Sequence, residues 1–408
     1  MKREVTVIGA GISGLATAYF LFKSGIPVRI LEKQSRVGGL LGTRRTEHGL
    51  VETAANGLIN SARLEAMCAD IGVALQPLQP QSRARYFWRN QPRRWPLTVG
   101  ESLRLGTGLI RHLGHWRPGA GETLAVWGNR LLGDAAVRHA LTPAMGGIYA
   151  SDAEVLSASL IFNRKGLGLE PAQQNGQAKP AKPSVRGTVS PQGGMQELVD
   201  GMAVFLRQQG VSIGLNQDAQ IERDTPTVIC TSASQAAELL APHAPEFSQR
   251  LQQIELLPIV TATCFYEPTQ RQPKGFGCLF PRKGDIRALG VLFNECTFAG
   301  RSDVRSETWI LGGAPDREVV NLNEAALEAT LHRNHALLAG AEEPMLSFHV
   351  TRWPQALPHY TLALERILTT LPPLPKHLAL VGNYLGQIGL AKLIERAYRA
   401  ATQIADCD

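Results

Sequence analysis

The sequence predicts an α/β fold in which both ends of the chain build one parallel sheet, with an antiparallel-sheet domain and a helical subdomain inserted between them. At the N-terminus, the apolar run 5–8 leads through a glycine turn into a helical pattern. Near the C-terminus, the apolar run 378–381 leads through Gly382 into another helical pattern. Between them, strand-like runs recur over 259–311 at the spacing of an antiparallel sheet. We therefore expect a first domain assembled from distant segments, with another domain inserted.

The length and composition indicate a globular protein of two or three domains. The chain has 408 residues, of which 44% are hydrophobic and 19% charged. Its polar start, MKREV, passes directly into a strand pattern, so no secretory leader is expected. We also find no run of about 18 apolar residues that could span a bilayer. We expect a cytoplasmic protein, either free or lying peripherally on the inner face of the membrane.

Cysteine usage and charge narrow the classes of partner. None of the six cysteines forms a C-x-x-C pair or lies near a histidine at zinc-ligand spacing, so we expect reduced thiols and no metal site. The net charge is +7, and a dense basic cluster comprises Arg83, Arg85, Arg89, Arg93 and Arg94. This cluster is either a solvated face, a site that captures an acidic substrate, or a surface attracted to anionic headgroups. No recognition motif accompanies it, so nucleic acid is not an expected partner.

The glycine turn after the first strand has the spacing of a dinucleotide site. Gly9 allows the tight turn, Gly11 lets a pyrophosphate approach the backbone, and Gly14 lets the following helix pack closely on the sheet. The first helical residues, Ile12 and Ser13, would offer free N–H groups to the phosphates. These residues predict a Rossmann-type domain.

The residues that follow the second strand favour FAD over NAD. Glu32 ends that strand, where a carboxylate can accept hydrogen bonds from ribose hydroxyls. It is followed by Ser35-Arg36-Val37-Gly38-Gly39, which resembles the R-x-G-G continuation of the amine oxidase-like flavoproteins. In those proteins the second glycine pair lets the backbone approach the FAD pyrophosphate and ribitol.

Composition and patterning divide the rest of the chain. We assign 1–75, 186–240 and 350–408 to the FAD-binding domain, 76–97 and 241–349 to a substrate-binding domain, and 98–185 to a helical subdomain. Residues 83–97 suggest a hairpin that turns near Asn90, and 170–183 suggest a polar surface loop. The segment 97–116 combines leucines with Arg104, Arg111 and Trp116. It suits either an interfacial membrane helix or a helix packed on its own domain.

Several segments in the correct order resemble the protoporphyrinogen/coproporphyrinogen oxidase family, and the ending is most similar to its plastid and cyanobacterial branch. The matching segments are GIYASD at 147–152, GGMQEL at 193–198, GFGCLFPR at 275–282, FAGR at 298–301, RWPQALP at 352–358 and GNYLGQIGL at 382–390. The resemblance covers most of the chain. It implies an FAD domain, a substrate domain with an antiparallel sheet, and a helical domain that rests on a membrane.

The resemblance also implies a reaction and its residues. FAD-dependent oxidases of this family convert protoporphyrinogen IX or coproporphyrinogen III to the porphyrin, passing hydride from a methylene bridge to flavin N5 and then reducing dioxygen. Family positions that grip the macrocycle match Leu279, Leu292 and Ile310, and Gly147 matches a glycine that leaves room for it. Arg85 matches an arginine that pairs with a substrate propionate. No protein side chain is assigned as certainly catalytic, because the flavin carries the chemistry.

Beyond the glycine turn and Glu32, the same resemblance extends the set of cofactor-binding residues along the chain. These further residues are Lys33, Arg36, Gly38, Gly39, Leu40, Asn56, Gly57, Ala219, Trp353, Gly382, Asn383, Gly389 and Leu390.

Two other interpretations stay open, as does the oligomeric state, a homodimer included. An amine oxidase or a polyene desaturase would keep the fold and change the substrate. A non-catalytic flavin- or porphyrin-binding protein is suggested by two departures from the family pattern. Thr53-Ala54-Ala55 precede Asn56 where the family usually has Gly-Pro, and the stretch 217–227 is shortened.

Overall fold

The computed structural model describes residues 3–114, 116–169, 182–267, 273–282 and 284–405. The predicted surface loop over 170–183 lies outside these ranges except for its last two residues, and Cys407 lies outside them as well.

The described chain contains strands and helices with the following bounds. The strands are β1 Val5–Ile8, β2 Val28–Leu31, β3 Thr43–Arg45, β4 Leu50–Glu52, β5 Leu58–Ile59, β6 Leu75–Pro77, β7 Arg85–Trp88, β8 Pro92–Arg93, β9 Thr188–Pro191, β10 Ser212–Gly214, β11 Thr227–Ile229, β12 Leu256–Tyr266, β13 Gly277–Leu279, β14 Gly290–Phe293, β15 Arg305–Gly312, β16 Met345–Pro358 and β17 Leu378–Leu380. The helices are α1 Ile12–Lys23, α2 Ala62–Asp70, α3 Val99–Arg111, α4 Leu124–Leu132, α5 Asp134–Ala136, α6 Thr142–Tyr149, α7 Ala158–Phe162, α8 Met195–Gln208, α9 Ala233–Leu240, α10 Pro245–Gln252, α11 Asn294–Thr297, α12 Glu324–Ala339, α13 Leu362–Thr369 and α14 Leu390–Ala405.

A five-stranded parallel sheet joins the two ends of the chain, as the sequence predicts. Its order is β10-β2-β1-β11-β17, so the C-terminal strand β17 lies beside β11 and one strand away from β1. Four of these strands, β1, β2, β11 and β17, coincide with apolar runs visible in the sequence. β10 was not predicted, because it has three residues and none of them is fully buried.

Helices α1 and α14 pack against one another beside the parallel sheet. α1 is almost wholly buried, and α14 packs along it through an apolar stripe of Leu393, Ile394, Ala397 and Ala401. The stripe follows the three-to-four-residue period of a helix that buries one side, which is why the sequence predicted α14. The packing brings the beginnings of both helices to the same region of the first domain.

The second sheet has seven strands in the order β16-β12-β15-β14-β13-β7-β8. It is antiparallel except where β7 runs parallel to β13, so the predicted antiparallel pattern is confirmed. The predicted hairpin is confirmed too: β7 pairs with β8, and Asn90 adopts φ +62° in the turn. β16 was not predicted as a strand, and it crosses residue 350, where the sequence-based domain boundary was drawn.

This sheet has two unlike faces. Val260, Val291 and Trp309 point to one face and form a core with Leu327 and Leu331 of α12. Side chains alternate along a strand, so the next residues point to the opposite face. That opposite face carries the predicted substrate residues and is directed toward the first domain.

A buried ion pair joins the first domain to the second sheet. Glu52, at the end of β4, accepts a hydrogen bond from Arg301 at 2.6 Å, and both side chains are at most 3% exposed. Glu52 also accepts from the Met195 backbone N–H and the Thr43 hydroxyl. Burial raises the pKa of Glu52 above its ordinary value, and the Arg301 guanidinium opposes that rise.

The helical subdomain exposes an apolar helix. α3 begins with a capping box between Thr98 and Glu101 and packs on α4, yet none of its residues is buried. Val99, Leu103 and Ile110 are each at least 66% exposed. Among the described residues, no helix has the length and apolarity needed to cross a membrane. Peripheral membrane contact through α3 stays a prediction.

The substitution Arg301→Met tests the buried ion pair. It leaves the Glu52 carboxylate buried without its partner, so we expect a loss of about 3–5 kcal/mol in the free energy of unfolding at neutral pH. An acid whose folded pKa is raised stabilises the fold below its unfolded pKa and loses this contribution as pH rises. Urea titrations should therefore show a larger penalty at pH 7 than at pH 5.

Arg399→Met is the matched control, since Arg399 forms an exposed pair with Glu395. We expect it to change stability by less than about 0.5 kcal/mol. Equal effects of the two substitutions would contradict the importance of the buried pair.

Candidate functional site

The glycine turn has the geometry that a dinucleotide requires. Gly9 adopts φ +101°, a conformation that L side chains rarely adopt. A Cβ atom on Gly14 would lie 1.8 Å from the carbonyl oxygen of Gly9, so only glycine allows α1 to start so close to the strand. The motif therefore forms the predicted strand–turn–helix unit.

The first turn of α1 is free to receive an anion. Gly11 supplies no side-chain cap, and no acidic residue stands in the first turn, where Ile12 and Ser13 lie. The helix dipole adds partial positive charge at this end. Gly11 forms a bridge with Gly38, and a Cβ atom on Gly39 would lie 3.3 Å from the Gly11 Cα.

The second glycine turn is held in shape by Arg36. The guanidinium donates to the carbonyl oxygens of Val37 and Leu41 at 3.0 Å and of Gly39 at 2.7 Å. Arg36 thus acts on the backbone of the turn rather than extending as a free cation. Leu40, within the turn, is 37% exposed.

Glu32 lies where the adenosine half of a dinucleotide is expected. Its carboxylate is buried and accepts hydrogen bonds from the backbone N–H groups of Ala10, at 2.6 Å, and Gln34, at 2.8 Å. The backbone N–H of Gln217 donates to the Glu32 carbonyl oxygen, which brings the segment containing Ala219 beside it. Lys33 is exposed and forms an ion pair with Asp218.

The C-terminal segment 382–390 forms the other end of the site. Gly382 follows β17, and a Cβ atom there would lie 2.2 Å from the Tyr384 ring. The carbonyl oxygen of Asn383 accepts from Tyr360, while Gly389 and Leu390 begin α14. The Tyr384 hydroxyl is buried and has no hydrogen-bond partner among the described residues, as a group awaiting a bound polar molecule would be.

These features fit FAD. The glycine turns fit its pyrophosphate, Glu32 fits a ribose, and the unpaired Tyr384 hydroxyl lies in the segment expected beside the flavin.

The predicted substrate residues come together on one sheet face. β13, β14 and β15 place Leu279 opposite Gly290, Gly290 opposite Ile310, and Gly277 opposite Leu292. Residues paired in this way share a face, so the three apolar side chains form one half-buried surface. A Cβ atom on Gly147 would lie 2.5 Å from Leu279 Cδ2, so α6 lies directly against this surface. We call Gly147, Leu279, Leu292 and Ile310 the apolar slot.

The segment after Glu52 connects the slot to the first domain. The carbonyl oxygen of Thr53 accepts from Trp353 Nε1 at 2.8 Å and from the Thr261 hydroxyl at 3.2 Å, and both donors lie in strands of the second sheet. Asn56 and Gly57 follow; a Cβ atom on Gly57 would lie 2.8 Å from the Val189 carbonyl oxygen. The family pattern has Gly-Pro in this segment. Here the two hydrogen bonds to the Thr53 carbonyl oxygen fix the start of the segment.

Arg85 lies at the edge of the same face. It pairs with Gly277, which on its other side pairs with Leu292. The guanidinium is exposed over the Phe276 ring, 4.7 Å from its centroid. It lines an open recess of about 490 Å³ together with Arg83, Arg94 and Lys274. Within the described ranges none of these four cations pairs with a carboxylate, so the recess can receive an anion.

Phe87 is a residue that the sequence interpretation missed. It pairs with Leu279 and therefore lies on the slot face, at the edge of the sheet. The run of three aromatic residues over 86–88 could have indicated it. Its partner strand, however, comes from almost two hundred residues away.

The five cysteines within the described residues are free thiols. Cys230 lies beside the Gly9 turn, and burial raises its pKa to about 12, with Thr17 opposing the rise. Its thiol therefore stays protonated at neutral pH.

The fold and the site define a dinucleotide-binding flavoprotein with a separate, mostly antiparallel sheet. The family model "Flavin containing amine oxidoreductase" matches residues 12–407, and the chain belongs to that family. It is consequently an FAD-dependent oxidoreductase of the amine oxidase family.

Similarity to porphyrinogen oxidases extends over the full length. The chain is 25% identical to protoporphyrinogen oxidase 2, chloroplastic/mitochondrial, of Arabidopsis thaliana, over 98% of this chain and 93% of that protein. It is 24% identical to coproporphyrinogen III oxidase of Propionibacterium freudenreichii subsp. freudenreichii, over 99% and 91%. In fold it matches a crystal structure from Exiguobacterium sp. 255-15 with a TM-score of 0.76 and 17% identity, over the whole of both chains. The family resemblance in the sequence motifs and the predicted fold class are thus confirmed.

The substitution Gly14→Ala tests the nucleotide turn. The added methyl group must displace either α1 or the Gly9 carbonyl, so we expect the FAD content of the purified protein to fall at least about tenfold. The ratio of flavin to protein absorbance measures it. Gly106→Ala is the control, because Gly106 is also helical and a Cβ atom there meets nothing within 4 Å. A Gly14→Ala protein that keeps a full complement of FAD would contradict the assignment.

Proposed function

We propose that this protein oxidises a porphyrinogen, protoporphyrinogen IX or coproporphyrinogen III, to the corresponding porphyrin with dioxygen as the final acceptor. The observation that carries the proposal is the apolar slot beside the segment predicted to hold the flavin. A largely apolar macrocycle requires such a slot, and its oxidation by a flavin requires no protein nucleophile.

Similarity supports the same substrate class. Relatives with the full-length matches described above include a protoporphyrinogen oxidase and a coproporphyrinogen III oxidase. At about one residue in four identical, these relatives support the class and leave the choice between the two porphyrinogens open.

In this proposal, the residues of the site bind the substrate and exclude water from it. FAD, when bound, accepts a hydride from a methylene bridge of the substrate and is reoxidised by dioxygen. Leu279, Leu292 and Ile310 bury one face of the ring, which excludes water from the reacting carbon. Gly147 has no side chain, so α6 can lie directly against Leu279 at one wall of the slot without a side chain projecting toward the ring. Arg85 binds a propionate, and its position at the rim keeps that carboxylate out of the apolar part.

Anaerobic flavin reduction tests the reaction. Each porphyrinogen is mixed with the yellow protein without oxygen, and the flavin absorbance near its long-wavelength maximum is followed. We expect bleaching by at least one of the two, then fluorescent porphyrin and hydrogen peroxide once oxygen is admitted. Polyamines and aromatic amines serve as controls. Bleaching by an amine and by neither porphyrinogen would instead favour an amine oxidase, and no bleaching at all would favour a binding protein.

The substitution Arg85→Ala tests the propionate contact. The loss of one charge-assisted hydrogen bond to the substrate should raise KM about tenfold and leave kcat nearly unchanged, because the contact is the same in the ground and transition states. Steady-state oxygen consumption at several substrate concentrations measures both. Arg223→Ala removes the same charge from an exposed position outside the recess, and we expect it to change neither. If the two variants behave alike, Arg85 makes no such contact.

A further inference from the structure

A chain of three hydrogen-bonding side chains runs from the interior to the solvent near the slot. Ser151 Oγ lies 2.7 Å from His359 Nε2, and His359 Nδ1 lies 2.5 Å from a carboxylate oxygen of Glu255. Ser151 is 1% exposed and His359 8%, whereas the Glu255 side chain is 48% exposed. The inner end of the chain is therefore buried, and its outer end meets water.

Backbone contacts fix the positions of these three hydrogen-bonded side chains. The backbone N–H of His359 donates to the backbone carbonyl oxygen of Glu255 at 2.9 Å, so these two residues are joined by both backbone and side chain. Ser151 directly follows Ala150, whose left-handed conformation ends α6. An imidazole with a hydroxyl on one nitrogen and a carboxylate on the other can accept a proton at one side and release one at the other.

Ser151 faces a cavity that adjoins the apolar slot. The cavity has a volume of about 240 Å³, enough to hold ordered water, and its wall includes Gly146 and Leu289. Gly146 precedes the slot residue Gly147, and Leu289 packs with Ala150 and the slot residue Ile310. The cavity and the slot therefore share a wall.

The charged groups around this chain are paired. Glu255 also binds Arg317 at the surface. On the cavity side, Asp152 pairs with Arg282, and Asp316 pairs with Arg287 at 2.7 Å. Each of these guanidinium groups therefore faces a carboxylate.

The proposed reaction releases protons inside the slot. Each two-electron step breaks a C–H bond, whose electron pair leaves with the hydride for FAD, and the ring also loses one proton. In the reoxidation, dioxygen would take up the hydride equivalent held by the flavin and one proton from solvent as hydrogen peroxide, so the proton lost by the ring is left in the slot. A proton left in an apolar slot would be costly, so it requires a path to solvent.

We propose that Ser151, His359 and Glu255 form this path, which rests on the function proposed above. Water in the cavity passes the proton to the Ser151 hydroxyl, which gives its own proton to His359 Nε2. His359 releases the Nδ1 proton to Glu255, and Glu255 releases it to bulk water. None of the three needs to touch the substrate, so they are positioning and proton-carrying residues.

The substitution His359→Ala tests the path in the complete FAD-loaded protein. We expect the rate constant for anaerobic flavin reduction by porphyrinogen to fall at least about tenfold, the lower part of the range for assisted proton transfer. Added imidazole, which can occupy the vacated space, should restore most of the rate. His332→Ala, at an exposed position of α12, should show neither the loss nor the rescue.

A second variant covers the case in which His359→Ala does not fold. Ser151→Ala should slow the same step, and Ser151→Thr, which keeps the hydroxyl, should retain most of the rate. Reduction of each variant by dithionite and its FAD content should equal those of the parent protein, since a purely structural defect would alter them.

The outcomes separate the two proposals. If porphyrinogen does not bleach the flavin of the parent protein, the proposed function fails. If it does, the path is overturned by either of two results: His359→Ala and Ser151→Ala reacting at the parent rate, or a slow His359→Ala that imidazole does not accelerate.

Discussion

The relation between the two sheets depends on how the segment after β4 is held. Glu52 is anchored in the interior by Arg301, and the next residue, Thr53, gives its carbonyl oxygen to two donors of the second sheet. A buried carboxylate is costly unless it is paired and hydrogen-bonded. Arg301, Thr261 and Trp353 all lie more than two hundred residues further along the chain, so these contacts form only when the two sheets lie in one arrangement. The same segment continues into Asn56 and Gly57, which are predicted to contact the cofactor.

In this arrangement, the parallel sheet and the second sheet offer different groups to a ligand. Glycine turns at the ends of parallel strands present backbone N–H groups, which suit phosphates, whereas the second sheet presents alternating side chains, which suit an apolar ring. Its other face packs against α12 through a buried apolar core. The exposed cations lie at the rim, where hydration lowers the cost of charge. Buried charged groups such as Glu52 and Arg301 are paired with one another.

Much of the first domain could be predicted from the sequence because its signals are local. The spacing Gly9, Gly11 and Gly14 has one physical explanation within a strand–turn–helix unit, and the structure provides the close contact that requires glycine at Gly14. The apolar stripe of α14 was equally visible. Short or half-exposed strands were not: β10 has too few residues for a pattern, and β16 begins in a stretch of mixed polarity. The assignment of individual cofactor and substrate residues was drawn from resemblance and remains a set of predictions, although the structure brings Leu279, Leu292, Ile310 and Gly147 together.

The sequence by itself determined that the chain has a nucleotide turn, that its two ends share a parallel sheet, and that an antiparallel sheet lies between them. These conclusions follow from periodicity and from glycine spacing, which act over a few residues. Tertiary structure alone decided that Ser151, His359 and Glu255 meet, that Phe87 lies beside Leu279, and that four cations surround one recess. Each of these contacts joins residues separated by long stretches of chain, and no local pattern specifies which distant strands become neighbours.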